Sequence, residues 1–308
     1  MDVLQELYQT NVTKTTHTTP YPAISPTLPS LSQTGRTVLI TGGATGIGLA
    51  IAHAFVQASA STVIIVGRRA DKLAQASEEL TAAVKQAGLS TNVVAQTCDV
   101  SDVKSIEALW DGFKEKDVVV DVLVSNAAKF ANVAELLELG AEHVWSLFET
   151  NVKAPLFLAE KFYKQGADRA KAFINVSSNF VHLFQSKVMQ GRLAYGLTKN
   201  SGTLVAQLVA QETPPEKVQV VSFHPGLVWS DEWPVEITKG MLPFTDVALS
   251  GHFAVWAASP EARFLHGRFV WSSWDVEDLK TGEVRERIDS DSAFLKIGVT
   301  GLRLGNLA

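Results

Sequence analysis

From Thr37 onward the chain alternates between two textures, and this alternation limits what it can fold into. Short runs of unbroken apolar residues, beginning with "TVLIT" and "TVIIVG", alternate with longer segments of helical period. An apolar run without polar alternation suits a strand buried on both faces, which is the condition of a parallel sheet covered by helices. "GIGLAIAHAFVQAS" places Ile47, Ile51, Ala54 and Phe55 on one helical face. "DKLAQASEELTAAVKQAG" reads as an amphipathic helix capped by Asp71 and stopped by Gly88. The same unit recurs through "NVVAQTC", "VDVLVSN", "AKAFINVSS", "KVQVVSFHPG" and "RFVWSS". The expected fold is α/β, a single domain over residues 35–275 built on a doubly wound parallel sheet of about seven strands flanked by helices. In the long helical region after His143, Pro155 predicts a boundary or a kink.

The ends differ from this middle. Residues 1–34 are rich in Thr, Pro and Ser and read as an N-terminal arm, ordered only by docking, with a short helix possible near residues 2–9. Residues 276–308 form a C-terminal extension. Hydrophobic residues make up 46% of the chain, enough for a sizeable core, and the formal charge is -5 with no basic patch, so nucleic acid is not an expected partner. Cys98 is the one cysteine, so an internal disulfide is excluded and a buried structural role is expected. No apolar run reaches the roughly 20 residues of a membrane span, and the N-terminus lacks a signal-peptide pattern. The expectation is a cytoplasmic protein with no membrane association. No histidine spacing suggests a metal.

"TVLITGGATGIG" sets Gly42, Gly46 and Gly48 between the first strand and first helix. Glycines permit close backbone approach, and the helix N-terminus offers free N–H groups and partial positive charge to a pyrophosphate. Thr45 and Ile47 belong to the same loop. The second strand ends in Gly67, Arg68 and Arg69, where an acid would select the ribose hydroxyls of NAD. An arginine there can instead pair with a 2′-phosphate, which favours NADP(H) over NAD(H), with Arg68 the better placed. Asp99 and Val100 follow the third strand and are candidates to flank an adenine, though Asp99 could equally cap the next helix. Asn126 and Ala127 follow the fourth, where small residues and a strand-tying amide would suit a bound cofactor. "AYGLTKNSG" puts Tyr195 and Lys199 at i and i+4, on one helix face. A tyrosine ionises near pH 10, and a neighbouring ammonium would lower that value toward use in proton transfer.

"TGGATGIG", "NAA", "INVSS", "YGLTK" and "HPG" together resemble the short-chain dehydrogenase/reductase family in order and spacing, across about residues 36–272. The resemblance implies a Rossmann fold and an NADP-dependent enzyme acting on CH–OH or C=O groups. It makes Tyr195 the acid/base, Lys199 its tuner and ribose ligand, Ser178 the group that binds the substrate oxygen, and Asn151 the holder of a water linked to Lys199. It places backbone at Pro225, Gly226 and Val228 against the nicotinamide, with Ser230 where threonine is common, and a mobile lid near residues 229–245. Ser178 and Tyr195 lie 17 positions apart, more than is usual in the family, so the intervening segment must bulge. Phe180, His182, Phe184, Trp229 and Trp233 are the candidate pocket residues, implying a bulky apolar substrate. The alternatives are another net reaction on this scaffold, such as enone reduction, dehydration or epimerisation, and a non-catalytic dinucleotide sensor. A homodimer or homotetramer is expected from the resemblance.

Overall fold

The computed structural model describes residues 10–166, 168–230 and 238–299. Seven strands form one sheet: β1 (Thr37–Thr41), β2 (Thr62–Gly67), β3 (Asn92–Thr97), β4 (Val122–Ser125), β5 (Lys171–Val176), β6 (Val218–His224) and β7 (Arg268–Trp271). Their order is β3-β2-β1-β4-β5-β6-β7, and every neighbouring pair is parallel. Strand order reverses between β1 and β4, so the crevice for a ligand opens there at the carboxyl ends of the strands.

Strand alternation sorts the core into two layers. Val38, Ile40, Val63 and Ile65 face α1 (Gly46–Gln57), α2 (Ala70–Gln86) and, further along the chain, the helix Val247–Ala257, where Phe55, Leu80, Phe253 and Trp256 are buried. Leu39, Ile64, Leu123 and Phe173 face the opposite layer, with Ile106 and Leu109 of α3 (Val103–Glu115). Helix α4 (Ala141–Phe148) runs through a π-helical turn, Glu149–Lys153, into α5 (Ala154–Lys164), whose Leu158 and Phe162 join that second layer. The irregularity expected at Pro155 therefore begins earlier, and Pro155 sits in the first turn of α5, where a missing N–H costs little. The long helix α6 (Leu193–Glu212) follows β5, and Val247–Ala257 is α7. Two short helices, α8 (Val276–Lys280) and α9 (Gly282–Ser290), follow β7 and bury Val276, Leu279 and Ile288. Asp71 is not the cap of α2. The helix starts one residue earlier, at Ala70, so the acid lies inside the first turn, where its charge still favours the helix N-terminus.

The segment before β1 is docked on the body. Tyr21, Ile24 and Leu31 are buried in the same layer as α1 and α7. The Tyr21 hydroxyl donates to the Trp274 carbonyl and accepts from the Val276 N–H, both at 3.1 Å. His17 lies 2.7 Å from the Asp275 carboxylate, and its backbone N–H donates to the Ser273 carbonyl. The Asp246 N–H, at the start of α7, donates to the Thr18 carbonyl. The possible helix near residues 2–9 lies outside the described residues. Ile24 is fully buried, so Ile24→Ala should lower the free energy of unfolding by about 2–5 kcal/mol in one cooperative transition. Urea titration followed by fluorescence and circular dichroism checks both the size and the single step.

Candidate active site

The glycine loop between β1 and α1 is closed by short contacts that larger side chains would break. A Cβ at Gly48 would stand 2.1 Å from the Gly42 carbonyl oxygen and 2.6 Å from Asn126 Nδ2. The same amide donates to the Thr41 and Gly42 carbonyls at 2.9 and 3.3 Å, while Thr41 Oγ1 accepts from the N–H groups of Asn126 and Ala127. These bonds tie the end of β4 to the end of β1 at the switch point. At Gly46, by contrast, nothing lies within 4 Å of a would-be Cβ, leaving open space at the N-terminus of α1. Glycine-lined backbone facing open space at a helix N-terminus fits a dinucleotide pyrophosphate.

Arg68 and Arg69 are exposed just past β2. Burial works against ionisation of Asp99, yet hydrogen bonds from Ser101 and the charge of Arg68 hold its pKa below the usual carboxylate value. Arg68 and Asp99 thus share one rim of the crevice. Asp99 does not cap α3; Asp102 does, accepting from the Lys104 N–H, because it is the residue directly before the helix. Asp99 accepts instead from the N–H and hydroxyl of Ser101. Val100 is buried, Thr45 lies on the exposed lip of the loop, and Ile47 is half-buried against the core.

Ser177 and Ser178 follow directly on β5. Ser177 shares a hydrogen bond with Thr203 of α6, whereas Ser178 Oγ accepts from the Phe180 N–H at 3.3 Å. Tyr195 and Lys199 lie in the first two turns of α6. Lys199 Nζ donates to the Val176 carbonyl at 2.6 Å, which anchors the side chain at the end of β5. Burial lowers the Lys199 pKa to about 8. Burial also raises the Tyr195 pKa above its ordinary value, a correction to the lowering expected from sequence, because loss of hydration penalises the phenolate.

Asn151 lies in the π-turn and is 4% exposed. Its Oδ1 accepts from the Lys129 N–H and its Nδ2 donates to the Lys129 carbonyl, both at 2.8 Å. Nδ2 donates as well to Thr198 Oγ1 at 2.9 Å, and that hydroxyl donates to the Tyr195 carbonyl. The side chain is thus committed to positioning two segments. Its main-chain carbonyl lies against α6, where a Cβ at Gly202 would come within 2.3 Å of it.

Around the tyrosine, Phe180 packs edge-on at 6.0 Å between ring centroids. Phe184 lies beside the next residue, 3.6 Å from a would-be Cβ at Gly196. His182 is directed elsewhere, 5.8 Å from the rings of Phe269 and Trp271. His224, beside Trp271, has its pKa lowered to about 3 by desolvation first and by His182 second, so it is neutral at physiological pH. Pro225 accepts from the Ser250 hydroxyl through its carbonyl. Gly226 has φ 91°, and a Cβ there would strike Thr245 Oγ1 at 2.5 Å. Val228 bridges to Thr245, and Trp229 packs edge-on against Phe244 at 5.2 Å. Ser230 is exposed, and Trp233 lies outside the described residues. The sequence missed Phe130, whose ring stacks on Tyr195 at 4.8 Å between centroids; its only signal was an aromatic residue soon after "NAA".

Comparison with family models matches residues 36–235 to "short chain dehydrogenase". The chain belongs to the short-chain dehydrogenase/reductase family. A short chain dehydrogenase/reductase of Claviceps purpurea is 34% identical over 290 residues, covering 93% of this chain and 94% of that one. The short chain dehydrogenase/reductase nsrO of Aspergillus novofumigatus is 36% identical over 272 residues, covering 86% and 89%. Among solved structures, L-sorbose reductase from Gluconobacter frateurii, complexed with NADPH and L-sorbose, superposes with a TM-score of 0.68 at 22% identity, covering 79% of this chain and 96% of that one. That likeness is one of fold. Among the described residues no helix is long and apolar enough to cross a membrane.

The lysine gives this short-chain dehydrogenase/reductase a measurable signature. An unfolded lysine keeps its proton to about pH 10.5, whereas folded Lys199 releases it near 8. Between those values the unfolded chain binds more protons, so this group makes stability rise with pH from about 8 upward, and its cost is constant below. Lys199→Met should flatten that rise and should unfold at higher urea than the parent at pH 7. Urea midpoints of both proteins from pH 7 to about 9.5 give the comparison.

Proposed function

We propose that the protein is an NADP(H)-dependent oxidoreductase that reduces a carbonyl, or oxidises the corresponding alcohol, of a bulky apolar small molecule in the cytoplasm. The observation that carries this reading is the bond from Lys199 Nζ to the Val176 carbonyl, which holds the helix of Tyr195 and Lys199 against the end of β5 two residues before Ser178. The cofactor would lie with its pyrophosphate at Gly42, Thr45, Gly46, Ile47 and Gly48, its adenine near Asp99 and Val100, and its nicotinamide between Asn126, Ala127 and the Pro225–Ser230 turn. When bound, it supplies the hydride that reduces the carbonyl carbon.

The chain's own residues do the rest. Ser178 donates a hydrogen bond to the carbonyl oxygen and orients it. Tyr195, neutral because burial raises its pKa, donates the proton as negative charge develops on that oxygen. Lys199, poised near pH 8, stabilises the phenolate left behind and contacts the nicotinamide ribose. The Asn151 carbonyl, against α6 at Gly202, would hold the water that returns a proton to the site. Arg68 pairs with the 2′-phosphate, with Arg69 alongside. Trp229, Phe180 and Phe184 would line the approach; most of the segment expected to form a lid, and Trp233 with it, lies outside the described residues.

The NADP complex of RhlG and the NADPH complex of L-sorbose reductase belong to those proteins, but both share this fold and so lend weight to the cofactor reading. Two measurements test it. Tyr195→Phe should reduce ketone-dependent NADPH oxidation by at least about 100-fold while NADPH still binds with near-parental affinity in a fluorescence titration. Persistent turnover would defeat the mechanism. Arg68→Ala should weaken NADPH binding by about tenfold or more and NADH binding far less; equal losses, or tighter NADH binding by the parent, would defeat the cofactor preference.

A further inference from the structure

Phe130 stands where a soluble protein gains nothing from an aromatic ring. It is 62% exposed, yet its ring lies over that of Tyr195 at 4.8 Å and 22° between planes. This placement is built, not incidental. Asn151 fixes the N–H and the carbonyl of Lys129, and with them the peptides on both sides of it, so the next residue leaves the loop in one direction. The same amide holds Thr198, which bonds back to the Tyr195 carbonyl. One buried side chain therefore sets Phe130 and Tyr195 against each other.

A second loop meets the first. The Ala134 N–H donates to the Gly191 carbonyl at 3.0 Å, tying the segment after Phe130 to the long connection between β5 and α6. That connection brings Phe180 edge-on to Tyr195, and Phe184, 43% exposed, beside Gly196. The tyrosine is thus flanked by Phe130 and Phe180, which come from two loops, and Phe130 and the nearby Phe184 turn apolar surface to water. Apolar surface left exposed beside a candidate proton donor is surface that a ligand would cover.

We propose that Phe130 is the aromatic wall of the substrate subsite and selects planar aromatic carbonyl compounds over saturated ones of equal size. The inference rests on Tyr195 being the proton donor of the proposed function, and deepens it. A carbonyl oxygen that meets the Tyr195 hydroxyl carries its ring system alongside Phe130. A flat π-system there gains offset stacking on Phe130 and an edge contact from Phe180, in addition to the apolar area it buries. A puckered saturated ring buries similar area but cannot stack. Phe130 is a specificity residue and supplies no proton.

The test compares two methyl ketones of matched shape, 2-acetylnaphthalene and 2-acetyldecalin, on the full chain saturated with NADP+. Calorimetry gives both dissociation constants for the parent, Phe130→Ala and Phe130→Tyr, with thermal melts to establish that each variant is folded. The parent should bind the naphthyl ketone about tenfold more tightly than the decalin. Phe130→Ala should bring that ratio to within about twofold, and Phe130→Tyr should keep it. A ratio unchanged in Phe130→Ala would overturn the proposal, as would a parent that binds the two ketones equally or does not bind the naphthyl ketone. NADPH oxidation with the same ketones reads the underlying function separately. Phe130-dependent binding without turnover would defeat carbonyl reduction and leave the aromatic subsite standing; turnover of both ketones with no dependence of selectivity on Phe130 would do the reverse.

Discussion

The side-chain amide of Asn151 is the contact on which the geometry of the site depends. A buried amide must find hydrogen-bond partners or destabilise the fold. This one finds them on both sides of the crevice, at Lys129 after β4 and at Thr198 in α6. The π-turn that carries it widens the helical repeat locally and turns the amide toward both. The loop bearing Phe130 and the helix bearing Tyr195 are therefore tied to each other through this side chain, with the Ala134–Gly191 bond as a second tie.

The fold was legible because its signal is redundant. Each strand is an unbroken apolar run and each helix has its own stripe, so an error at one element leaves the others in place. The glycine loop and the Tyr195–Lys199 pair were legible for a different reason. Close packing restricts the loop to glycine, as the 2.1 Å approach at Gly48 illustrates, and an i, i+4 spacing by itself puts the pair on one helix face. Asn126 was read as a possible tie between strands, and it bonds Thr41 and Gly42 at the end of β1.

What was not legible depends on relations that sequence spacing does not encode. The π-turn leaves no residue signature, and Pro155 pointed a few positions too late. The direction of the Tyr195 pKa depends on how completely the phenol is removed from water, which no motif reports. Phe130 belongs to no repeating pattern, and only the third dimension sets it over a ring 65 positions away. His182 looked like a pocket residue because it lies in the bulged loop, but the loop's path carries it to Trp271.

The N-terminal segment has a consequence in time as well as in space. Thr15, His17 and Tyr21 bond residues between Ser273 and Asp278, partners that are some 250 positions later in the chain. On a ribosome those partners are made long after this stretch, which must wait for them until the whole sheet has emerged. Closing so long a loop adds little entropy beyond a shorter one, but it cannot begin early. The Thr18 carbonyl of the same segment accepts from the Asp246 N–H at the start of α7. The start of α7 and the turn after β7 are thus both held by a segment made well before either of them.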